Sequence, residues 1–223
     1  MTEQIQWKTI DQIFCKSMRC RKCFDQKLAD SALIDVAQPR WIGPRYFKAP
    51  KKILIITQYP GVGTPKKQQA DDEFSKILHE YKDGTKTRQA LFTFQKHSIP
   101  KWGRTKKGET KGSFFKFYMD GMELCLDEVA FVNIAWCATD NENKHPAKML
   151  SQCFTINTRE LIKVIKPDVA ILSGKNIHKY YSHIEAILPT CHVVQTWNYA
   201  HRKRLDDERI ELQRVRKEIA AVH

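Results

Sequence analysis

Three cysteines fall within nine residues near the start of the chain, in the stretch Cys-Lys-Ser-Met-Arg-Cys-Arg-Lys-Cys that runs from Cys15 to Cys23. Cys20 and Cys23 form a C-x-x-C pair, a spacing that suits two thiolates converging on one metal or, alternatively, a redox-active dithiol. Cys137 and Cys153 stand sixteen residues apart, the first just beyond an apolar run and the second inside a helical pattern. Four thiolates satisfy either a structural zinc or a 4Fe–4S cluster. The plain alternative is that cysteines near a sheet are small buried hydrophobes, and Cys125 and Cys191 are read that way. Cys15 receives no role.

The elements that must position these residues follow from hydropathy. Residues 52–57, 128–134, 168–174 and 192–196 are short, continuous apolar runs rich in Ile and Val. Such runs predict strands buried on both faces, as in a parallel sheet. Helical patterns separate them. Residues 70–82 place Phe74, Ile77, Leu78 and Tyr81 on one face, 145–166 run from Pro146 to a stop at Pro167, and 176–188 form a third helix. Residues 206–222 predict a fourth, amphipathic through Ile210, Val215 and Ile219 and packed on the sheet. The alternation predicts one α/β domain over residues 1–223, a three-layer α/β/α sandwich with a central four-stranded parallel sheet. Ligands gather at the carboxyl ends of such strands, which directs attention to the loops after Thr57, Ile134, Gly174 and Thr196.

The chain carries a formal charge of +13 and a pI near 9.4. Between Lys96 and Lys116 there are seven Lys or Arg residues and one acid, Glu109, with Trp102, Phe114, Phe115 and Phe117 interleaved. That composition suits phosphate contacts combined with base stacking, so nucleic acid is the expected partner, ahead of an acidic protein. Residues 103–112 read as a polar, glycine-punctuated loop, the most mobile part of the chain. His201 to Arg204 form a second basic knot. No run approaches the ~18 apolar residues a membrane helix needs. The N-terminus lacks the basic start and apolar core of a signal peptide. A cytoplasmic protein with reduced thiols is expected.

The order of these features resembles the uracil-DNA glycosylase superfamily, most closely its iron–sulfur branches, of which family 4 is the best known. The likeness rests on Cys20-x-x-Cys23, on the Asn-ended strand in Asn-Ile-Ala-Trp-Cys (133–137), and on Cys153 sixteen residues later. Asn-Lys-His-Pro (143–146) stands where the family has an Asn-Arg-x-Pro-like run. Residues 166–174 look like its third strand, and 53–61 like its first strand and following motif. The resemblance spans roughly residues 15 to 205.

It implies a structural 4Fe–4S cluster on Cys20, Cys23, Cys137 and Cys153, with zinc as the alternative, bound through an N-terminal segment over residues 1–45. It further implies a monofunctional DNA glycosylase that flips a nucleotide and hydrolyses its N-glycosidic bond. Asn133 matches the family's base-reading amide, which both donates and accepts. Gln58, Pro60 and Gly61 belong to the pocket turn, while Tyr59 replaces the family's water-activating Asp and either lines the crevice or joins the core. Asn198 stands in place of the family's anion-stabilising His, and a neutral amide stabilises less negative charge. His201 is a candidate substitute for it, and Asp140 a candidate for orienting water. Trp197 and Phe74 are stacking platforms or core residues. Lys101, Arg104, Lys106 and Lys107 of the basic insertion 96–116, with Arg202 and Arg204, would hold phosphates of single- or double-stranded DNA, the protein acting as a monomer. The altered motifs leave three readings: release of uracil or another deaminated base, release of a hypermodified cytosine of the phage type in antiviral defence, or binding to nucleic acid without cleavage.

Overall fold

The computed structural model describes residues 2–29, 34–60, 68–102, 104–106, 109–111, 113–139, 146–199 and 205–222. The first half of the chain forms α1 (Glu3–Met18), α2 (Lys22–Asp25), β1 (Ile53–Thr57), α3 (Gln68–Lys82), α4 (Arg88–Ser98), β2 (Arg104–Lys106) and β3 (Glu109–Lys111). Then come β4 (Val129–Asn133), α5 (Pro146–Cys153), α6 (Arg159–Ile165), β5 (Val169–Ser173), α7 (Tyr181–Ile187), β6 (His192–Thr196) and α8 (Leu205–Ala220). All four apolar runs are therefore strands. They form one all-parallel sheet in the order β4-β1-β5-β6, flanked by helices, the α/β arrangement of a three-layer sandwich. Every residue of β1, β4 and β5 is buried, which is why these runs show no polar alternation. Ile53 pairs with Val169 and Val169 with His192, so β1, β5 and β6 start in step.

The chain builds two compact units from interleaved segments. The first comprises Met1–Arg40, Gln58–Phe94 and Val132–Ile165; the second comprises Trp41–Thr57, Gln95–Phe131 and Lys166–His223.

In the first unit α1 turns Ile10, Phe14 and Met18 inward at i, i+4 and i+8. The ring of Phe14 meets Trp136 edge-on at 5.7 Å and Phe92 at 6.3 Å. This helix lay in sequence within the expected N-terminal segment, and the Ile10-Phe14-Met18 spacing is the signal that marks it. Helix α3 buries Phe74, Leu78 and Tyr81 as their spacing predicts. The helix expected over 145–166 is instead two, with a π-helical turn at Phe154–Thr158 between α5 and α6.

In the second unit the expected polar loop contains a two-stranded antiparallel hairpin, Thr105 opposite Thr110 and Lys106 opposite Glu109. Threonine favours extended backbone, and the two strands are separated in sequence by Lys-Gly, a short connection of the kind that hairpins use. Two of the four aromatics interleaved with the basic run are corrected as base-stacking candidates by their burial. Phe114 and Phe117 are core residues, Phe114 packing on Phe131 at 4.7 Å and on Tyr118 at 4.7 Å. Cys125 is exposed rather than buried and accepts from Arg45 Nη2 at 3.3 Å, whereas Cys191 is buried as expected. Helix α8 packs against β6 and buries Val215 and Ile219, but Ile210 is 63% exposed. Leu212 takes its place on the inward face, close enough to Gly121 that a Cβ there would meet Leu212 Cδ1 at 2.8 Å. Among the described residues no helix is long and apolar enough to cross a membrane.

Glu211 of α8 clamps the end of β6. Its carboxylate accepts from Thr196 Oγ1 at 2.9 Å and from Arg214 Nε at 2.9 Å, while Arg214 also donates to the Gln195 carbonyl. Burial pushes this carboxyl up, but the bonds from Arg214 and Thr196 outweigh it and hold the pKa below its ordinary 4.5. A depressed carboxyl contributes stability that is complete above the ordinary value and lost as pH falls through the folded value. Thermal melting across acidic pH should therefore show wild-type stability falling below about pH 4.5. Glu211→Gln should melt lower at neutral pH and show a flatter acid limb; parallel curves for the two proteins would refute the clamp.

Candidate functional site

Cys20, Cys23, Cys137 and Cys153 all belong to the first unit. Cys20 and Cys23 flank the start of α2, Cys137 follows β4, and Cys153 closes α5. Cys23 and Cys137 are joined by a hydrogen bond, and Cys20 and Cys153 lie near enough to Cys137 to act on it electrostatically. Cys137 donates to Cys23, and this bond raises the Cys137 thiol well above its ordinary value, with burial and the charges of Cys153, Cys23 and Cys20 adding to the rise. The same bond draws the Cys23 thiol down. Burial pushes Cys153 up to about 12, against two opposing donors, and Cys23 and Cys20 raise it further. Among the described residues no three ligating side chains form a group that would hold a metal ion as they stand. The donor set is nevertheless of one chemistry, four soft thiols that repel one another once ionised, and such a set suits a cation that takes thiolate ligands.

The two donors on Cys153 are the Trp136 backbone N–H at 3.2 Å and Asn157 Nδ2 at 3.3 Å. Asn157 is held in turn by Ser17 Oγ, 3.0 Å from its Oδ1 and 2.7 Å from the Ile13 carbonyl. All these polar side chains are buried. A neutral thiol is a weak acceptor, so two fixed donors on one buried sulfur suit a sulfur that carries negative charge. Asn157 lies in the π-helical turn, one residue before Thr158. Thr158 Oγ1 lies 3.0 Å from the Asn133 carbonyl and 2.9 Å from the Ile134 carbonyl, and it accepts from Trp136 Nε1 at 2.9 Å. One turn of helix thus holds both the Cys153 sulfur and the end of β4. Sequence reasoning missed Asn157 and Thr158, although the Cys153–Asn157 spacing of four is a helical contact distance.

Asn133, the last residue of β4, is 2% exposed. Gln58, just past the neighbouring β1, is tied to this strand end through its carbonyl, which accepts from Ala135 N–H at 3.0 Å. Gln58 and Tyr59 are half-buried and Pro60 is buried. Phe74 stacks on Phe94 at 5.3 Å with the Arg40 guanidinium 5.8 Å from its ring, a place inside the first unit's packing.

The second unit holds the ends of β5 and β6. Gly174 adopts φ +114°, a backbone conformation that glycine takes without strain, while a Cβ there would make only an ordinary 3.6 Å contact with Asn198 Cβ. Tyr118 donates to Ser173 Oγ, which donates to the Trp197 carbonyl at 2.7 Å. Burial raises the Tyr118 phenol well above its ordinary value and keeps it a donor. Trp197 and Asn198 are half-buried. Lys101 ends a 3-10 turn and is exposed, and Arg104 and Lys106 lie in β2. Gly61, Lys107, Asp140, His201, Arg202 and Arg204 lie outside the described residues.

No family model matches this chain, and no curated protein matches it.

The hub role of Thr158 is checked by isosteric replacement. Thr158→Val would leave Trp136 Nε1 without its acceptor and should cost about 1–3 kcal/mol in urea unfolding. Thr158→Ser should recover most of that loss. Equal stability of the valine variant would mean the hydroxyl does not hold the strand end.

Proposed function

We propose that this chain is a monofunctional DNA glycosylase of the uracil-DNA glycosylase superfamily, with a structural 4Fe–4S centre on Cys20, Cys23, Cys137 and Cys153. The observation that supports the reading is that Cys23 and Cys137 are hydrogen-bonded while Cys20 and Cys153, in the same unit, act electrostatically on Cys137, which follows the amide-ended strand β4. Burial together with neighbouring thiols raises the Cys137 and Cys153 thiols, a cost that a bound cationic iron centre removes. Such a centre, when bound, would supply charge neutralisation and a cross-link between α2, the segment after β4 and α5. Asn157 and Trp136 orient the Cys153 sulfur toward that role through their N–H donors.

Asn133 reads the base edge in this proposal. Its amide can donate and accept, and a dry setting strengthens each hydrogen bond made there. Gln58, joined to the same strand end, completes the pocket turn with Tyr59 and Pro60. Asn198 donates to the departing base; as a neutral amide it stabilises the leaving anion less than an imidazolium does. Water is oriented by Asp140, with His201 as the second candidate. The net charge of +13 supports a nucleic-acid substrate bound through its phosphates. Tyr59 and Asn198 stand where uracil-cleaving relatives carry Asp and His, which favours a modified pyrimidine, such as a hypermodified cytosine met in antiviral defence, as the second reading.

Purified protein should contain iron and absorb in the visible range, and Cys153→Ala should lose both. Iron-free, colourless wild-type protein would remove the cluster. Incubation with oligonucleotides containing uracil, hypoxanthine or hypermodified cytosine, followed by hot alkali, should yield breaks at the cleaved base only. Uracil breaks support the first substrate and modified-cytosine breaks the second. Absence of breaks at every base, with binding retained, would overturn the catalytic reading. Asn133→Ala should abolish the breaks and leave visible absorbance intact; loss of both together would make Asn133 a structural residue.

A further inference from the structure

A cleft of about 830 Å³ runs along one face of α1 in the first unit and is lined by Lys8, Lys16, Arg19 and Lys22. The single acid in its lining, Asp11, already accepts from Arg88 Nη1 at 2.6 Å and from the Tyr81 hydroxyl at 2.6 Å. Among the described residues no ion pair neutralises any of the four cations. Arg19 gives one Nη to the Lys82 carbonyl at 3.2 Å, which fixes the root of its guanidinium on the rim. The cleft therefore concentrates positive charge without an internal partner.

We propose that this cleft is a docking groove for the sugar–phosphate backbone of a nucleic-acid strand, a contact made by residues other than the basic segments 96–116 and 201–204. The inference rests on the nucleic-acid part of the function proposed above. Lys8 and Lys16 are two i, i+4 steps apart with Gln12 between them, so their positions advance about 12 Å along the helix axis. A strand of B-form duplex advances about 3.4 Å per phosphate, so that row spans roughly three to four phosphates. No aromatic ring lines the cleft, whose wall is mostly apolar: Ile156, the thiols of Cys15 and Cys20 and the aliphatic stems of its lysines and Arg19. Without a stacking platform, the groove lays its cationic stems along a strand and pairs their charges with its phosphates, so it recognises charge spacing rather than base identity. Cys20 in its lining places the groove beside the thiol set, so a strand lying there would run past the candidate metal centre. Binding through this groove is indifferent to sequence and weakens steeply with salt.

The test is fluorescence anisotropy of the full chain with a labelled single-stranded oligonucleotide and with its duplex, across a salt series. Lys8 and Lys16 are exposed, so Lys8→Gln/Lys16→Gln leaves the core untouched. Removing two phosphate contacts should shrink the slope of log K against log salt by about 1.8 for duplex or about 1.4 for single strand. Lys166→Gln/Lys217→Gln, two exposed lysines just before β5 and on α8, serves as the charge-matched control and should keep the wild-type slope. A wild-type slope in the α1 variant, with wild-type protein binding DNA normally, overturns the groove and leaves the nucleic-acid reading standing. An equal loss in the control overturns the groove as well, since the effect would then be one of total charge. If wild-type protein shows no salt-dependent DNA binding, both the groove and the reading beneath it fall.

Discussion

A single hydroxyl carries the local order of the first unit. Thr158 Oγ1 sits between the carbonyls of Asn133 and Ile134 and the indole N–H of Trp136, all in buried surroundings. Backbone carbonyls just past the end of a strand have left the sheet ladder and need other donors. Here the donor comes from a helix, and the helix can supply it because its backbone opens into a π-helical turn at Phe154–Thr158. Turns of this kind cost hydrogen-bond regularity and recur where a side chain must be re-aimed. The re-aimed side chains are Thr158, which holds β4, and Asn157, which holds the Cys153 sulfur. Strand end and thiol are thereby fixed by one short segment, and displacement of either would strain the other.

The thiol set gains its meaning from electrostatics. Four thiols in one unit, three of them buried, would be unexceptional if each were an isolated small hydrophobe. Their mutual influence, together with two N–H donors on Cys153, is what separates them from Cys191, which burial raises and which pairs with no other thiol. Cys15 stands apart as well: burial raises it and Arg19 partly offsets that rise. It lines the α1 cleft and is not among the groups that shift the other four. The second unit uses a different device to order its strand ends. A buried Tyr118–Ser173 relay holds the Trp197 carbonyl, Glu211 clamps Thr196, and Gly174 supplies the positive φ at the end of β5.

Some of the structure departs from the sequence pattern for reasons that are physical. Ile210 is as apolar as Val215, yet it faces water because Leu212, Val215 and Ile219 share the stripe that α8 turns toward its own unit. Phe114 and Phe117 stand among lysines in sequence but fold inward, since chain order says nothing about which residues a helical turn at 115–120 hides. The partition into two units is invisible in the sequence because no linker marks it. Its boundaries fall inside α4 and β4, at the ends of β1 and α6, and between Arg40 and Trp41.

The sequence by itself determined the α/β class and the four strands almost to the residue, because an uninterrupted apolar run of five has few solutions other than a strand buried on both faces. It also determined which cysteines were candidates, through their spacing and their distance from one another along the chain. Only the tertiary structure decided that Cys20, Cys153 and Cys23 come near enough to Cys137 to act on its thiol, that Cys125 does not join the core, and that Lys8, Lys16, Arg19 and Lys22 line one cleft. Those outcomes depend on contacts between residues more than a hundred positions apart, and on the re-aiming of Asn157 and Thr158 by a single irregular turn. Local propensity encodes the elements; the meeting of distant polar groups is settled by which of them can satisfy one another once water is excluded.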